Sequence, residues 1–393
     1  MIRLYNTFEI AVPIWDYLVP ALESRGKKVE LVVSKGIYRK ERTSQLSKYH
    51  HYVWVPGFLK KNKKFCHLFY VLLVPFKILF NRQTELNIFY TQPPFFYMFA
   101  GWLSYLRGTP FIIHIMDLQP EMLGALGKLN KKGWVYRMTE RWGTWALKKA
   151  DKVIVIGDCM KDLMLSKGIA ADRIDIIRNI SSNESNEVVE KSHNPFVKKH
   201  GLNDQFIILY SGNMGLAHEF DTILKVSERL RHLPDLLFLF IGRGARRPEL
   251  ENYVAQHQPK NIQLMGFLPI EDLPYSLGAA DVHFISLRDG MEGVMVPSKF
   301  YGCLLSGKAI IFEGHPNSEI SRELDRSDCG QQVNHLDEMA LEAAILHYYQ
   351  HRNQVVKQGR NGQLAYQQKY ASSHFAANYL EILEREEALV HNL

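Results

Sequence analysis

The 393-residue chain has only four cysteines, Cys66, Cys159, Cys303 and Cys329, and no two of them form a C-x-x-C pair. That excludes a disulfide framework and a cysteine-based zinc site, and it points to a reducing compartment. No apolar run reaches the roughly 20 residues needed to span a bilayer. The N-terminus lacks a basic stretch followed by an apolar segment and a small-residue cleavage site, so a cytoplasmic location is expected. No nucleic-acid recognition motif is found, so no nucleic-acid partner is expected. Acids are scarce in the first half: residues 1–200 hold 31 Lys+Arg against 17 Asp+Glu, whereas residues 201–393 hold 17 against 24. A half so basic suits a polyanionic surface, a membrane in the first place, although a merely solubilising surface has the same charge. What is present, 46% apolar and 23% charged residues, is enough for two ordinary globular domains.

Short apolar runs alternate with helical patterns along most of the chain. In the first half, strands are predicted at 1–5, 29–33, 86–90, 110–115 and 152–156, and helices at 14–25, 95–106 and 134–149. In the second half the strands are 206–210, 236–241, 262–265, 282–285 and 309–312. The intervening helices are 220–230, 248–257, 270–279, 299–305 and 318–324, and further helices are expected at 336–349 and 373–390. This alternation predicts an α/β protein with two doubly wound parallel sheets and ligands beyond the C-terminal strand ends. A change to Ser, Asn, Glu and Lys marks a linker. The division is 1–185 for a first Rossmann-like domain, 186–200 for the linker and 201–370 for a second Rossmann-like domain. A C-terminal helix over 371–393 completes the chain and can cross back to the first domain.

The densest signal lies between Leu209 and Ile311. Phe206-Ile-Ile-Leu-Tyr-Ser-Gly-Asn-Met-Gly215 reads as a strand running into a glycine turn and a helix, a junction suited to a phosphate through free amides and a helix dipole. Leu239-Phe-Ile-Gly-Arg-Gly244, Leu264-Met-Gly-Phe-Leu-Pro269, Glu292-Gly-Val-Met-Val-Pro-Ser-Lys299 and Ser306-Gly-Lys-Ala-Ile-Ile311 follow in order. One such turn is an ordinary strand-to-helix connection; several within about a hundred residues indicate a nucleotide-sugar pocket.

A separate segment, Lys60, Lys61, Lys63 and Lys64 followed by the sixteen largely apolar residues Phe65–Phe80, is too short to span a bilayer. Lysines beside an aromatic-rich stretch, with Phe65 and Phe69 foremost, suit an element lying in the membrane interface. A buried helix behind a solvated lysine loop is the plainer alternative.

These pieces resemble glycosyltransferase family 4, and more narrowly its WbuB-like subgroup, which builds bacterial surface polysaccharides. The residues that carry the resemblance are Tyr210-Ser-Gly-Asn-Met-Gly215, Gly266-Phe-Leu-Pro269, Ala279-Ala-Asp-Val282, Val296-Pro-Ser-Lys299, Ser306-Gly-Lys-Ala-Ile-Ile311 and Ser318-Glu-Ile320. Fainter matches lie at Thr91-Gln-Pro-Pro94, Asp117-Leu-Gln-Pro-Glu121 and Ile177-Arg-Asn179. The resemblance implies a GT-B fold, with two such domains facing across a cleft, and retaining transfer of a sugar from a nucleoside diphosphate, UDP foremost. The acceptor would be lipid-linked or a glycan, and the protein would sit peripherally on the inner face of the cell membrane. No metal or other cofactor is implied, since backbone amides, helix dipoles and Lys/Arg stabilise the leaving diphosphate.

By the same resemblance Gly212, Asn213, Met214 and Gly215 face the diphosphate and Lys299 neutralises it. Gly266, Phe267 and Leu268 lie by the base and ribose, and Gly293, Val294, Pro297 and Ser298 complete the donor site. Family members often carry two glutamates eight positions apart, which would fall here at Val294 and Gly302. Neither is acidic, and Glu292 is the nearest candidate for the first. The Arg and Lys that often follow the phosphate glycine correspond to Asn213 and a position near His218, which shifts the charge to Lys299, Arg243 or Arg246. The family's first-loop glycines are absent from residues 6–13. In the first half, Asp117 and Glu121 follow a strand end and could orient or deprotonate an acceptor hydroxyl. They could equally be the N-cap and first-turn acid of the next helix. His114, on the same strand, is a catalytic candidate or a core histidine. Two rival functions keep the fold: a UDP-sugar 2-epimerase, and a non-catalytic membrane-associated partner of a transferase.

Overall fold

The computed structural model describes all residues except 8–13, 35–44, 60–61, 81–82, 182–183, 185–188 and 392–393, and also omits the side chains of 45, 47, 57, 63 and 386–391. The chain forms two compact units. The first comprises Met1–Asn179, Gly293–Val296 and Ser372–Leu393; the second comprises Ile180–Glu292 and Pro297–Ala371.

The first unit is built on seven parallel strands: β1 (Ile2–Tyr5), β2 (Val29–Ser34), β3 (His50–Val53), β4 (Leu86–Tyr90), β5 (Phe111–His114), β6 (Lys152–Val155) and β7 (Ile174–Ile176). Their order, β3-β2-β1-β4-β5-β6-β7, is doubly wound, and Leu4 pairs with Leu31 on one side and Ile88 on the other. All three of these side chains are fully buried, which is why the central strands are continuously apolar. The helices are α1 (Ile14–Ser24), α2 (Lys63–Phe80), α3 (Phe96–Arg107), α4 (Glu121–Ala125), α5 (Trp134–Lys149) and α6 (Asp158–Ser166).

The second unit has six parallel strands: β8 (Phe206–Ser211), β9 (Leu236–Ile241), β10 (Ile262–Met265), β11 (Val282–Ser286), β12 (Ala309–Glu313) and β13 (Gly330–Val333). Their order is β10-β9-β8-β11-β12-β13, so the winding reverses between β8 and β11. That reversal opens a crevice at the C-terminal strand ends, where ligands of such sheets bind. Helices α7 (Pro195–His200), α8 (Asp221–Arg229), α9 (Arg247–His257), α10 (Leu273–Gly278) and α11 (Lys299–Leu305) cover the sheet together with α12 (Glu319–Ser327), α13 (Glu338–Gln350) and α14 (Arg352–Lys369). The last helix, α15 (Ser372–His391), belongs to the first unit, where it packs on α1 and buries Phe375, Tyr379 and Ile382.

Three strands, β3, β7 and β13, and the helices α6, α7 and α14 escape the sequence pattern. The strands β3, β7 and β13 lie at sheet edges, where half-exposed sequences such as His-His-Tyr-Val need no apolar run. Part of the supposed linker is α7, whose Phe196 and Val197 join the core beside Leu202 and Ile207; Asn194 caps it by accepting from the Phe196 amide at 2.9 Å. The inner face of α14 mixes Val355, Ala365 and Tyr366 with Gln358, Gly359 and Gly362, so no continuous apolar stripe marks it; at Gly359 a side chain does not fit, since a Cβ there would lie 2.2 Å from the Gly307 oxygen.

Candidate functional site

In the second unit two glycine turns stack at the C-terminal ends of β8 and β9. Gly242 and Gly244 have φ of +143° and +155°, and Cβ atoms there would come within 1.9 Å of the Gly212 oxygen and 2.3 Å of the Met214 oxygen. No other residue permits such an approach of backbone to backbone. The stacking also consumes amides: Gly212 donates to the Ile241 oxygen and Met214 to the Arg243 oxygen. Within 212–215, only the amides of Asn213 and Gly215 remain without a protein partner among the described residues. The buried Met214 side chain is core, and Tyr210 pins the turn by donating to the Asn213 oxygen at 2.9 Å.

The turn does not run straight into a helix. Helix α8 begins only at Asp221, and its entrance holds the buried Glu219, which accepts from the Phe220 amide at 3.1 Å. The positive helix end expected at the glycine turn is therefore taken by a carboxylate.

Lys299, the first residue of α11, supplies the charge instead. Its Cε lies 3.5 Å from where a Gly212 Cβ would stand, and its ammonium sits 3.6 Å from the centre of the Tyr210 ring. Burial holds its pKa well below the ordinary lysine value, and no carboxylate lies within ion-pair distance of it among the described residues. Its polar neighbour is His218 Nε2 at 3.5 Å. The other ring nitrogen of His218 lies 2.6 Å from the Ser286 carbonyl oxygen, which can only accept, so Nδ1 carries the hydrogen and Nε2 offers a lone pair. Burial, then the charges of Lys299 and Arg246, push His218 down to about 3, so the ring is neutral.

Arg243 is exposed and lies over Gly266, whose Cβ would be 3.8 Å from its Nη2; among the described residues it has no ion pair. Phe267 beside it is 50% exposed, and Leu268 packs on the core. Arg246 differs from the expectation. Its guanidinium is held 2.7 Å from both Glu219 and Glu249 and donates to the His218 oxygen at 2.7 Å, so its charge is neutralised within the protein. Although burial acts upward on Glu219, the hydrogen bond and charge of Arg246 outweigh it and hold that carboxyl below its usual range. Glu219 was not singled out in the sequence, and neither was Glu313. The latter, at the end of β12, is fully buried and raised to about 7 by burial while accepting from Thr222 Oγ1 and the Leu336 amide. Glu292 closes its own turn, accepting from the Gly290 amide at 2.8 Å. Pro297 is buried, and exposed Ser298 stands at the N-cap of α11 without capping it.

In the first unit the acids after β5 part company. Asp117 is half-buried beneath a backbone cradle in which Thr91 Oγ1 accepts from the amides of Met116 and Asp117; burial raises its carboxyl to about 6. Among the described residues it has no cation partner. Glu121 opens α4 and is paired with Lys167 at 2.5 Å, a lysine it shares with Glu140. His114 is fully enclosed between the rings of Tyr90 and Tyr379, and burial pushes it down to about 3. It is a core histidine, closed to substrate. Gly293 and Val294, expected with the donor turns, belong to this unit. The Val294 oxygen accepts from the Leu118 amide at 2.9 Å, Met295 pairs with Asp117, and a Cβ on Gly293 would lie 2.9 Å from the Cys159 oxygen.

Of the membrane-facing residues, Lys60 and Lys61 lie outside the described residues, as does the side chain of Lys63. Lys64 and Phe65 are exposed on α2, and Phe69 is half-buried against Trp54. Among the described residues no helix is long and apolar enough to cross a membrane.

Residues 13–179 match the family described as Glycosyl transferase 4-like domain, and residues 193–295 match Glycosyl transferases group 1. The chain belongs to the glycosyl transferases. WbjE of Pseudomonas aeruginosa, named as a probable glycosyltransferase, is 27% identical over 264 residues, 67% of this chain and 66% of that protein. WcaI of Escherichia coli K12, a glycosyl transferase named for colanic acid biosynthesis, is 28% identical over 220 residues, 53% and 52% of the two chains. The match thus spans less than two thirds of either relative's length. Among solved structures, Anabaena HepE in complex with UDP-glucose superposes with a TM-score of 0.73 at 12% identity, covering 98% of this chain and 99% of that one. Likeness at that identity shows the fold, which is the GT-B class of the glycosyl transferases.

Proposed function

We propose that the protein transfers a sugar from a UDP-linked donor to a lipid-linked or glycan acceptor during assembly of a bacterial surface polysaccharide, with retention of anomeric configuration. The observation that carries this reading is Lys299: half-buried, with no carboxylate within ion-pair distance among the described residues, beside a glycine turn that has two amides without a partner among those residues at the crevice of the second sheet. Desolvation lowers the pKa of this half-buried lysine, so its charge is favoured when a ligand supplies an anion, and the departing diphosphate is such a ligand. Arg243 and Phe267 would hold the nucleotide from the next strand ends. The bond from the sugar C1 to the diphosphate oxygen breaks, the bond from C1 to an acceptor oxygen forms, and the acceptor hydroxyl's proton passes to the departing diphosphate oxygen. Asp117, ionised above pH 6 and without a cation partner among the described residues, is the first unit's candidate for orienting that hydroxyl. No metal is expected in this chemistry, where backbone amides and Lys299 stabilise the leaving diphosphate.

The names of WcaI and of HepE's complex support the polysaccharide and UDP parts of the reading. The basic first half and α2 support peripheral attachment to the inner face of the cell membrane. The test is incubation with a panel of UDP- and GDP-sugars and a bacterial lipid extract, following donor consumption and glycolipid formation. Consumption of a UDP-sugar only when lipid is present is expected. Isomerised donor without acceptor would establish the epimerase instead, and UDP binding without turnover the non-catalytic partner.

A further inference from the structure

The second basic and aromatic surface of the first unit lies on α3 and α5, outside the segment assigned to the membrane from sequence. The right-handed crossovers after β3, β4 and β5 put α2, α3 and α5 side by side on one face of the sheet, with α2 against α3 and α3 against α5. Helix α2 is apolar on both sides. Cys66, Tyr70, Val74 and Ile78 are buried, while Phe65, Leu68, Leu72, Phe76 and Phe80, spaced three or four residues apart, are exposed, the last by 76%.

Helix α5 repeats the arrangement. Trp134, Met138 and Trp142 stand one turn apart at 70%, 51% and 39% exposure. Arg137 and Arg141 are exposed beside them and have no ion-pair partner among the described residues. Aromatic contacts tie this stripe to α3: Phe99 lies 5.8 Å from Trp102 and 6.3 Å from Trp142, Tyr105 lies 5.5 Å from Trp145, and Lys149 sits 5.0 Å over the Tyr105 ring. Clusters of exposed apolar side chains on a soluble protein mark interaction or membrane surfaces.

We propose that the outer layer formed by α2, α3 and α5 is a single docking face for an anionic lipid bilayer, with the Trp134–Trp142 stripe of α5 as a second anchor beside α2. The proposal rests on the membrane-surface reading above and extends it to residues that reading does not use. Charge selects the occupant. Residues 60–149 carry 14 Lys+Arg against four Asp+Glu, and two of those acids, Glu121 and Glu140, are already held by Lys167. Tryptophan with arginine beside it is the composition of a headgroup-level belt, with rings entering the apolar boundary and cations remaining among the phosphates. Each such cation raises partitioning about fivefold at low salt.

The test uses the full chain and vesicles of phosphatidylcholine, with or without one quarter phosphatidylglycerol, read by co-sedimentation and tryptophan emission. The unaltered protein is expected to sediment with the anionic vesicles and shift its emission to the blue. The variant Trp134→Ser/Met138→Ser/Trp142→Ser should lose at least tenfold in partitioning and most of the blue shift. Arg137→Gln/Arg141→Gln should lose binding to anionic vesicles in a salt-dependent way. Both variants change exposed side chains only, and an unchanged UDP-induced thermal shift verifies the fold. Full binding by the α5 variants, with loss only in Leu72→Ser/Phe76→Ser, would overturn the second anchor and leave the membrane reading standing. No binding by the unaltered protein would overturn the membrane reading itself. A dimer in light scattering that the α5 variant converts to monomer would give the face to a second copy of the chain and overturn the proposal.

Discussion

The ammonium of Lys299 lies 3.5 Å from Nε2 of His218, and that nitrogen can only accept, because the ring's hydrogen is held at Nδ1 by the Ser286 carbonyl. A neutral acceptor positions the cation without cancelling its charge. A carboxylate in the same place would satisfy Lys299 and leave it little to offer the diphosphate of the proposed donor.

Replacing Lys299 by methionine should therefore separate stability from activity. Desolvation disfavours the charged form of this half-buried lysine, so its removal should raise the melting temperature of the free protein. The UDP-induced thermal shift should shrink, and kcat for sugar transfer should fall by about 10²–10³, the cost of losing one stabilising group at a developing oxyanion. Calorimetric UDP titration beside steady-state kinetics checks both. Unchanged UDP affinity and kcat would remove Lys299 from the site.

His218 acts through Lys299, so its variants should divide by hydrogen-bonding capacity rather than by charge. His218→Phe should lower kcat about tenfold, whereas His218→Gln, which retains an acceptor oxygen, should recover much of the loss. Since the ring titrates near 3, neither variant should alter the shape of the pH–rate profile above pH 5. A histidine limb near pH 6.5 that vanishes in His218→Gln would contradict the neutral-acceptor role.

Asp117 should give the rate profile its acidic limb. Its carboxyl is raised to about 6, so the ionised form accumulates as pH climbs through 6 and activity should climb with it. Asp117→Asn should be slower and flat across that range, with the loss in kcat/KM for the acceptor and little change in UDP affinity. An intact limb at pH 6 in the variant would assign it elsewhere.

Glu313 should make stability depend on pH. Its folded value of about 7 lies above the ordinary 4.5, so the folded state binds the proton more tightly. The resulting stabilisation is complete below about pH 4.5 and is lost as pH rises through 7. Between pH 5 and pH 8 the native protein should lose about 1–3 kcal/mol relative to Glu313→Gln. Urea midpoints of both proteins at the two pH values measure the difference, and parallel curves would refute it.

Much of the fold is legible in the chain because buried parallel strands must be apolar on both faces. Runs such as Phe206–Ser211 and Leu236–Ile241 announce themselves, and the glycines at 212, 242 and 244 mark the turns that follow. Edge strands such as Gly330–Val333 do not, because one side meets solvent and any half-polar sequence suffices.

The working residues were less legible. Arg246 and Lys299 look alike as cations near glycine turns, and only their surroundings distinguish them: two carboxylates hold the first, while the second has a neutral imidazole. Asp117 and Glu121 are likewise two acids in one motif, and a lysine 46 positions beyond Glu121 removes it from competition. The sequence by itself determined the family, the two α/β units and the location of the glycine turns, because periodicity and turn chemistry are local. Which charges stay free was decided only by the tertiary structure, because neutralisation and desolvation depend on partners distant in sequence: 81 residues separate His218 from Lys299.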